Sequence, residues 1–291
     1  MPPSSWSRRS FLAGGTSAAV LAACGGGKTA APTTAPPPPF TLVTFSDSSV
    51  LTLGAPARVT FGLADGQGVI VQKPPVPTLD FAVTLDGQPF GLPVTSTSHA
   101  EGIPRPYFPV TFTPTRAGIY EFNAQVSGTP VTVPIQLTGE PVLVPAEGQK
   151  MTPFDTPTTS DLRGVELLCT RTPACPLHDI TLREALAGGT PVAFLISTPA
   201  YCQVAICGPV LDVLLAASAQ FPQIKMLHAE VYPSTADAQP DVLRRTPVME
   251  AYNLFFEPVL FLAKADGTIA KRIDTIFDAV ELHDALTQLA G

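Results

Sequence analysis

Thirty-three of the 291 residues are proline, and they are spread along the chain instead of gathered in one tract. A proline inside a helix removes a backbone donor and clashes with the preceding turn. This spacing excludes a long coiled coil and favours short strands, turns and short helices. Apolar residues make up 45% of the chain, enough to build a core, so it is not a disordered chain. The length suits two domains better than one. Only 14% of residues are charged, against roughly 25% in an average soluble chain. The net charge of -7 argues against a nucleic-acid partner, which would need a basic stripe. Residues 1–150 hold 8 Lys/Arg and 8 Asp/Glu, whereas residues 151–291 hold 9 and 16. The second half therefore carries the whole imbalance, which predicts two parts with different tasks.

Residues 1–23 read as an address. Ser7-Arg8-Arg9-Ser10-Phe11-Leu12 precedes an apolar stretch, Ala13 to Ala23, too short and too rich in Gly and Ala for a permanent membrane span. The stretch ends in Leu21-Ala22-Ala23-Cys24. This order resembles the twin-arginine signal and lipobox of bacterial lipoproteins. The resemblance implies export in a folded state through Arg8 and Arg9, cleavage before Cys24, and lipid anchoring through Cys24 on the outer face of the cell membrane. Residues 24–39, rich in Ala, Thr and Pro, then make a stiff tether.

Residues 40–140 read as strands: Phe40–Phe45, Ala57–Ala64, Asp80–Leu85, Tyr107–Thr113, Gly118–Val126 and Val131–Leu137, broken by Asp-Gly, Thr-Pro and Ser-Gly turns. Regular short strands predict an antiparallel sandwich. Ala117-Gly118-Ile119-Tyr120-Glu121-Phe122-Asn123-Ala124 resembles the penultimate strand of immunoglobulin-like bacterial modules. No catalytic constellation is visible here, and His99 reads as a solvated loop side chain. Residues 141–176, with Pro141, Pro145, Pro153 and Pro157, read as an ordered connector.

Residues 177–291 have another rhythm. A short helix, Leu182–Ala187, is capped by Asp179 or Thr181, and Pro191–Ser197 is a continuous apolar run suited to a central strand. Next come a helix over Val210–Ala219, a strand over Ile224–Tyr232 and a possible helix around Asp241–Tyr252. A hairpin, Pro258–Ala263 with Thr268–Ile273, precedes a last helix capped by Asp278 with Glu281. The apolar strand runs into Tyr201-Cys202, Cys207 opens the next helix, Pro209 precedes Val210-Leu211-Asp212, and Glu257-Pro258 stands before the hairpin. In this order the pieces resemble the thioredoxin-like superfamily. The resemblance implies an α/β thioredoxin-like domain behind an all-β immunoglobulin-like sandwich, with Pro258 as the cis-proline facing the sulfurs.

The departures are specific. Four residues separate Cys202 from Cys207, as in peroxiredoxins of the bacterioferritin-comigratory type, where thioredoxins have two. Tyr201 replaces the tryptophan before the first cysteine, and the buried acid of thioredoxins would fall near Ile196. An exported chain sits where disulfides persist, so the cysteines other than Cys24 read as two close pairs, Cys202/Cys207 and Cys169/Cys175. Cys202, entering a helix N-terminus, suits the attacking thiolate, and Cys207 suits the resolving thiol. The expected activity is thiol–disulfide exchange on a protein disulfide or thiol partner, without a cofactor. An inert staple is the alternative for this pair.

Cys169 and Cys175, with Pro173 and Pro176 between and beside them, read first as a structural staple and second as a relay aided by Arg171 and His178. A zinc site of Cys169, Cys175 and His178 fits no common spacing, so no metal is expected. Three rival functions stay open. A thiol peroxidase would need Arg244 or Arg245 at Cys202. A copper-delivery protein of the Sco type would need His228 or His283, although His228 reads as a strand-edge residue. The last is a docking lipoprotein without chemistry.

Overall fold

The computed structural model describes residues 39–202 and 205–291. Arg8, Arg9, Cys24 and the tether to residue 38 lie outside the described residues. Two antiparallel sheets occupy the first half. β1 (Phe40–Thr44), β2 (Ala57–Asp65) and β6 (Phe108–Phe112) form one, in the order β1-β2-β6. The other has the order β4-β3-β7-β8, from β3 (Thr78–Leu85), β4 (Gln88–Pro89), β7 (Gly118–Val126) and β8 (Thr129–Leu137), with β5 (Val94–Thr97) also pairing with β3. Alternate residues of β3 and β7 are buried, as a strand with one face on a core requires. The two sheets share one apolar cluster, in which Phe61 of β2 stands 5.1 Å from Phe81 and 4.8 Å from Phe122. The short strands β4 and β5 lack any long alternation and were not foreseen.

The second half is built on a four-stranded sheet of order β10-β9-β11-β12. β9 (Val192–Ile196) is parallel to β10 (Lys225–Ala229) and antiparallel to β11 (Val259–Ala263), which turns at Gly267 (φ +79°) into β12 (Ile269–Asp274). All five residues of β9 and all five of β11 are buried, because helices cover both faces of the sheet. Ala193 and Leu195 face α2 (Cys207–Ser218) and α4 (Ala279–Ala290). Val192, Phe194 and Ile196 face α1 (Leu182–Ala187) and α3 (Pro247–Ala251). Thr181 caps α1 through a complete box with Glu184, while Asp179 instead pairs with Lys225 at 2.6 Å.

The helix expected around Asp241–Tyr252 shrinks to α3. Pro247 starts it, and upstream Arg244 is tied back to Asp237 while Leu243 takes φ +43°. α2 starts at Cys207, three residues earlier than its apolar spacing suggested, with Pro209 tolerated in its first turn. Residues 141–176 form no named helix or strand, yet they are pinned along the sheet. Gly148 and Met151 donate to Ile269 and Gly267, Tyr252 Oη donates to Thr152, and Thr159 donates to His178. No helix among the described residues is long and apolar enough to cross a membrane.

The β half meets the second half through charge. Arg58 of β2 reaches Glu281 of α4, whose carboxylate also accepts from Tyr107 Oη. His99 stands 2.9 Å from Asp278, the cap of α4, so it is three-quarters covered rather than a solvated loop side chain.

Candidate functional site

β9 delivers the chain to the edge of the site. Ser197 and Thr198 follow it, both fully buried, and the chain continues to Tyr201 and Cys202. No side chain caps α2, so its first N–H groups need acceptors from elsewhere. The Cys207 N–H donates to Cys202 Sγ at 3.4 Å. Donors and dipole at a helix N-terminus favour negative charge on that sulfur. Just before α2, Ala205 takes φ +53° and its N–H donates to the Cys202 carbonyl at 3.0 Å.

The two sulfurs have unlike surroundings. Cys202 is half-buried, whereas Cys207 is fully buried. Burial pushes the Cys207 thiol well above its ordinary value, and the neighbouring Cys202 adds to the push. Opposite them, the antiparallel pairing of Val259 with Ile196 places Pro258 beside Ser197. Pro258 is buried, and the Glu257–Pro258 peptide is cis. Tyr201 packs edge-on to Tyr232 with ring centroids 6.2 Å apart. Sequence reasoning missed Glu257. Its carboxyl is half-buried and pushed up to about 7, first by burial and then by Cys202, with Arg245 partly opposing. No acid occupies position 196, but Glu257, two residues before β11, is coupled electrostatically to the sulfurs. Its only sequence signal was a charged residue directly before Pro258.

The second pair sits in a different setting. Cys169 and Cys175 are buried free thiols, and two histidines converge on them. Cys175 Sγ lies 3.1 Å from His178 Nε2 and 3.5 Å from His228 Nδ1, and Cys169 Sγ lies 3.7 Å from His228 Nδ1. The two ring nitrogens are 3.3 Å apart. Cys169 is pushed down by its hydrogen bond with Cys175 and by both imidazoles, against the effect of burial. Cys175 is pushed up by the Cys169 sulfur and by burial, so a first thiolate is favoured and a second opposed. The expectation for His228 changes here. β10 is an edge strand, but the His228 side chain is 2% exposed and points into this cluster. Its signal was a lone imidazole in the apolar run Met226-Leu227-His228-Ala229.

Of the remaining candidates, only Arg245 is brought to the Cys202 region. His283 packs edge-on to Phe221, ring centroids 5.3 Å apart, on the exposed side of α4. Arg244 is held by both oxygens of Asp237 at 2.7 and 2.9 Å, and Arg245 lies near Glu257. The two cysteine pairs are nevertheless neighbours. Thr170, beside Cys169, accepts from Ala200 N–H at 3.1 Å and donates to buried Glu230 at 2.7 Å. Comparison with protein-family models and with curated proteins finds no match for this chain.

Proposed function

We propose that the protein is a lipid-anchored, extracytoplasmic thiol–disulfide oxidoreductase. In this reading residues 177–291 are a thioredoxin-like domain, Cys202 is the nucleophile and Cys207 the resolving thiol. The observation that carries it is the Cys207 N–H directed at the half-exposed Cys202 sulfur while Cys207 itself is fully buried. The sheet order β10-β9-β11-β12, with α2 crossing between parallel β9 and β10, supports the fold assignment. The β half reads as an immunoglobulin-like sandwich. Tyr120 Oη donates to the Arg116 carbonyl four residues upstream at 2.9 Å, as in the tyrosine corner of such domains. Arg8, Arg9 and Cys24 supply export and anchoring in this reading.

The Cys202 thiolate attacks one sulfur of a partner disulfide. A mixed disulfide forms, and the other partner sulfur leaves as a thiolate that takes a proton. Cys207 then loses its proton and attacks Cys202, releasing the second partner sulfur as a thiol. The partner gains two electrons and two protons, and the protein keeps a Cys202–Cys207 disulfide. The reverse sequence oxidises a dithiol. Because burial holds the Cys207 proton tightly, the second step needs a base, and we assign that role to Glu257, whose carboxyl is pushed up to about 7 and is coupled electrostatically to the sulfurs.

The test is trapping. Cys207→Ser accumulates mixed disulfides through Cys202, and Cys202→Ser accumulates none, as read by non-reducing gels and peptide mapping. Equal alkylation rates at the two sulfurs, with no trapped species, would make the pair a staple. Rapid peroxide consumption with a sulfenic acid at Cys202 would replace exchange by peroxidase chemistry.

A further inference from the structure

Cys169, Cys175, His178 and His228 present four ligand atoms that all lie within 4.8 Å of one another. We infer that these four residues form a tetrahedral zinc site, separate from Cys202 and Cys207 and independent of the exchange reading. The connector supplies Cys169 and Cys175, His178 follows just after it, and β10 supplies the fourth ligand, 50 residues beyond His178. The motif was invisible as a spacing because a strand pairing completes it.

The distances favour a metal of this size. Zinc bonds of about 2.3 Å to sulfur and about 2.0–2.1 Å to nitrogen give tetrahedral edges of roughly 3.3 Å between nitrogens and roughly 3.6 Å between sulfur and nitrogen. The nitrogens are 3.3 Å apart, and two sulfur–nitrogen separations are 3.5 and 3.7 Å. A further one, 3.1 Å between Cys175 Sγ and His178 Nε2, is shorter and would open on binding.

The imidazole of His228 is oriented for a metal. Its Nε2 lies 3.1 Å from the Ser197 carbonyl, which can only accept, so Nε2 carries the hydrogen. Ser197 Oγ, 3.0 Å away, holds the same nitrogen. The Nδ1 lone pair is then directed at both sulfurs and at His178. A partner on the far ring nitrogen that fixes the tautomer is the usual support of a zinc-bound histidine. The backbone holds the two histidine segments together, since the His228 N–H donates to the Leu177 carbonyl at 3.1 Å.

Charge decides which cation. Two thiolates and two neutral imidazoles leave a divalent ion with no net charge, which suits a pocket whose ligand residues are all buried. A cuprous ion would leave one negative charge there. Four protein ligands also close the coordination sphere, as in structural zinc sites. Binding displaces the remaining thiol protons to solvent, and no electron is transferred.

The experiment uses the full chain, purified reduced with zinc present and then freed of excess metal. We expect one zinc per chain by elemental analysis. Cobalt in its place should give the visible bands of a tetrahedral ion and a near-ultraviolet thiolate-to-cobalt band. His228→Gln and Cys175→Ser should weaken zinc retention at least about a hundredfold against a chelator, while the Cys202→Ser/Cys207→Ser double variant keeps one zinc. The cobalt spectrum of the unaltered chain stays decisive if a ligand variant does not fold. Absence of stoichiometric zinc together with no thiolate-to-cobalt band overturns the site. So does a Cys169–Cys175 disulfide in protein prepared with zinc, or zinc lost only with Cys202 and Cys207. Preference for cuprous ion over zinc overturns the choice of metal.

Discussion

Replacing Arg58 by Met should destabilise the protein by about 3–5 kcal/mol at pH 7, the cost of leaving one partner of a buried ion pair alone. The pair meets that description. Arg58 Nε and Nη2 donate to the two oxygens of Glu281 at 2.6 Å each, and the side chains are 14% and 11% exposed. Arg58 also donates to the carbonyls of Ile276 at 2.7 Å and Asp274 at 3.3 Å, so its removal frees acceptors in the segment entering α4. Methionine keeps most of the stem volume and deletes only the charge and donors. The remaining Glu281 carboxylate would keep Tyr107 Oη as its hydrogen-bond donor. Burial alone would push Glu281 up, but Arg58 and Tyr107 hold it below the usual carboxylate range. A depressed carboxyl contributes stability above its unfolded value of about 4.3 and loses it as pH falls through the folded value. The gap between Arg58→Met and the parent should therefore be full at pH 7 and narrow in acid, where Glu281 in the variant protonates. Urea unfolding followed by circular dichroism measures both effects. The double variant Arg58→Met/Glu281→Leu, which buries no lone charge, should recover about half the loss or more. A single-variant cost below about 1 kcal/mol, or a double variant as weak as the sum of its singles, would refute the reasoning.

Two further outcomes follow from perturbed groups. Glu257, pushed up to about 7, is ionised above that pH and then opposes a thiolate on Cys202. Glu257→Gln should speed alkylation of Cys202 at pH 8 and remove an inflection near 7 from its rate profile, while lengthening the life of the mixed disulfide. Unchanged rates in both assays would remove Glu257 from the chemistry. His99 is pushed up, chiefly by its hydrogen bond to Asp278. A raised imidazole contributes stability below about 6.5 that is lost as pH rises through its folded value. The parent should lose stability in that window, and His99→Gln should flatten the slope; parallel curves would discount the pair.

What the sequence made legible was whatever repeats locally. The run Val192–Ile196 announced a strand buried on both faces, and Asp278 announced the start of α4, since both signals lie within one element. The cap shows the limit of such reading. Asp278 accepts from the Glu281 N–H at 2.8 Å, but the Glu281 side chain turns away from the expected box to meet Arg58 of β2. A partner 223 residues distant leaves no mark on local spacing. The same holds for His228 against Cys169 and Cys175, and for Glu257 against Cys202. The thioredoxin-like resemblance points to position 196 for an acid, whereas the carboxyl coupled to Cys202 is that of Glu257, just before β11, which pairs with β9.

These long-range contacts converge on one stretch, Ser197 to Cys202. Ser197 Oγ and carbonyl both engage His228, the Ser197 N–H donates to the Ala229 carbonyl at 3.1 Å, and the Ala200 N–H donates to Thr170 Oγ1. Thr170 is in turn anchored by its own N–H and hydroxyl to buried Glu230. The loop that presents Cys202 is thus gripped on the side of the Cys169–His228 cluster as well as by α2. A closed tetrahedral ion in that cluster would fix the connector to β10 at the point where both touch this loop. It would then hold Cys202 in register with the Cys207 N–H without taking part in sulfur chemistry. Such a division of labour suits an attacking sulfur on a loop, where rigidity must come from neighbours because no strand or helix supplies it. Under the extracytoplasmic location proposed above, it also gives Cys169 and Cys175 a reason to stay reduced, since thiolates bound to zinc are withheld from the exchange chemistry proposed for Cys202 and Cys207.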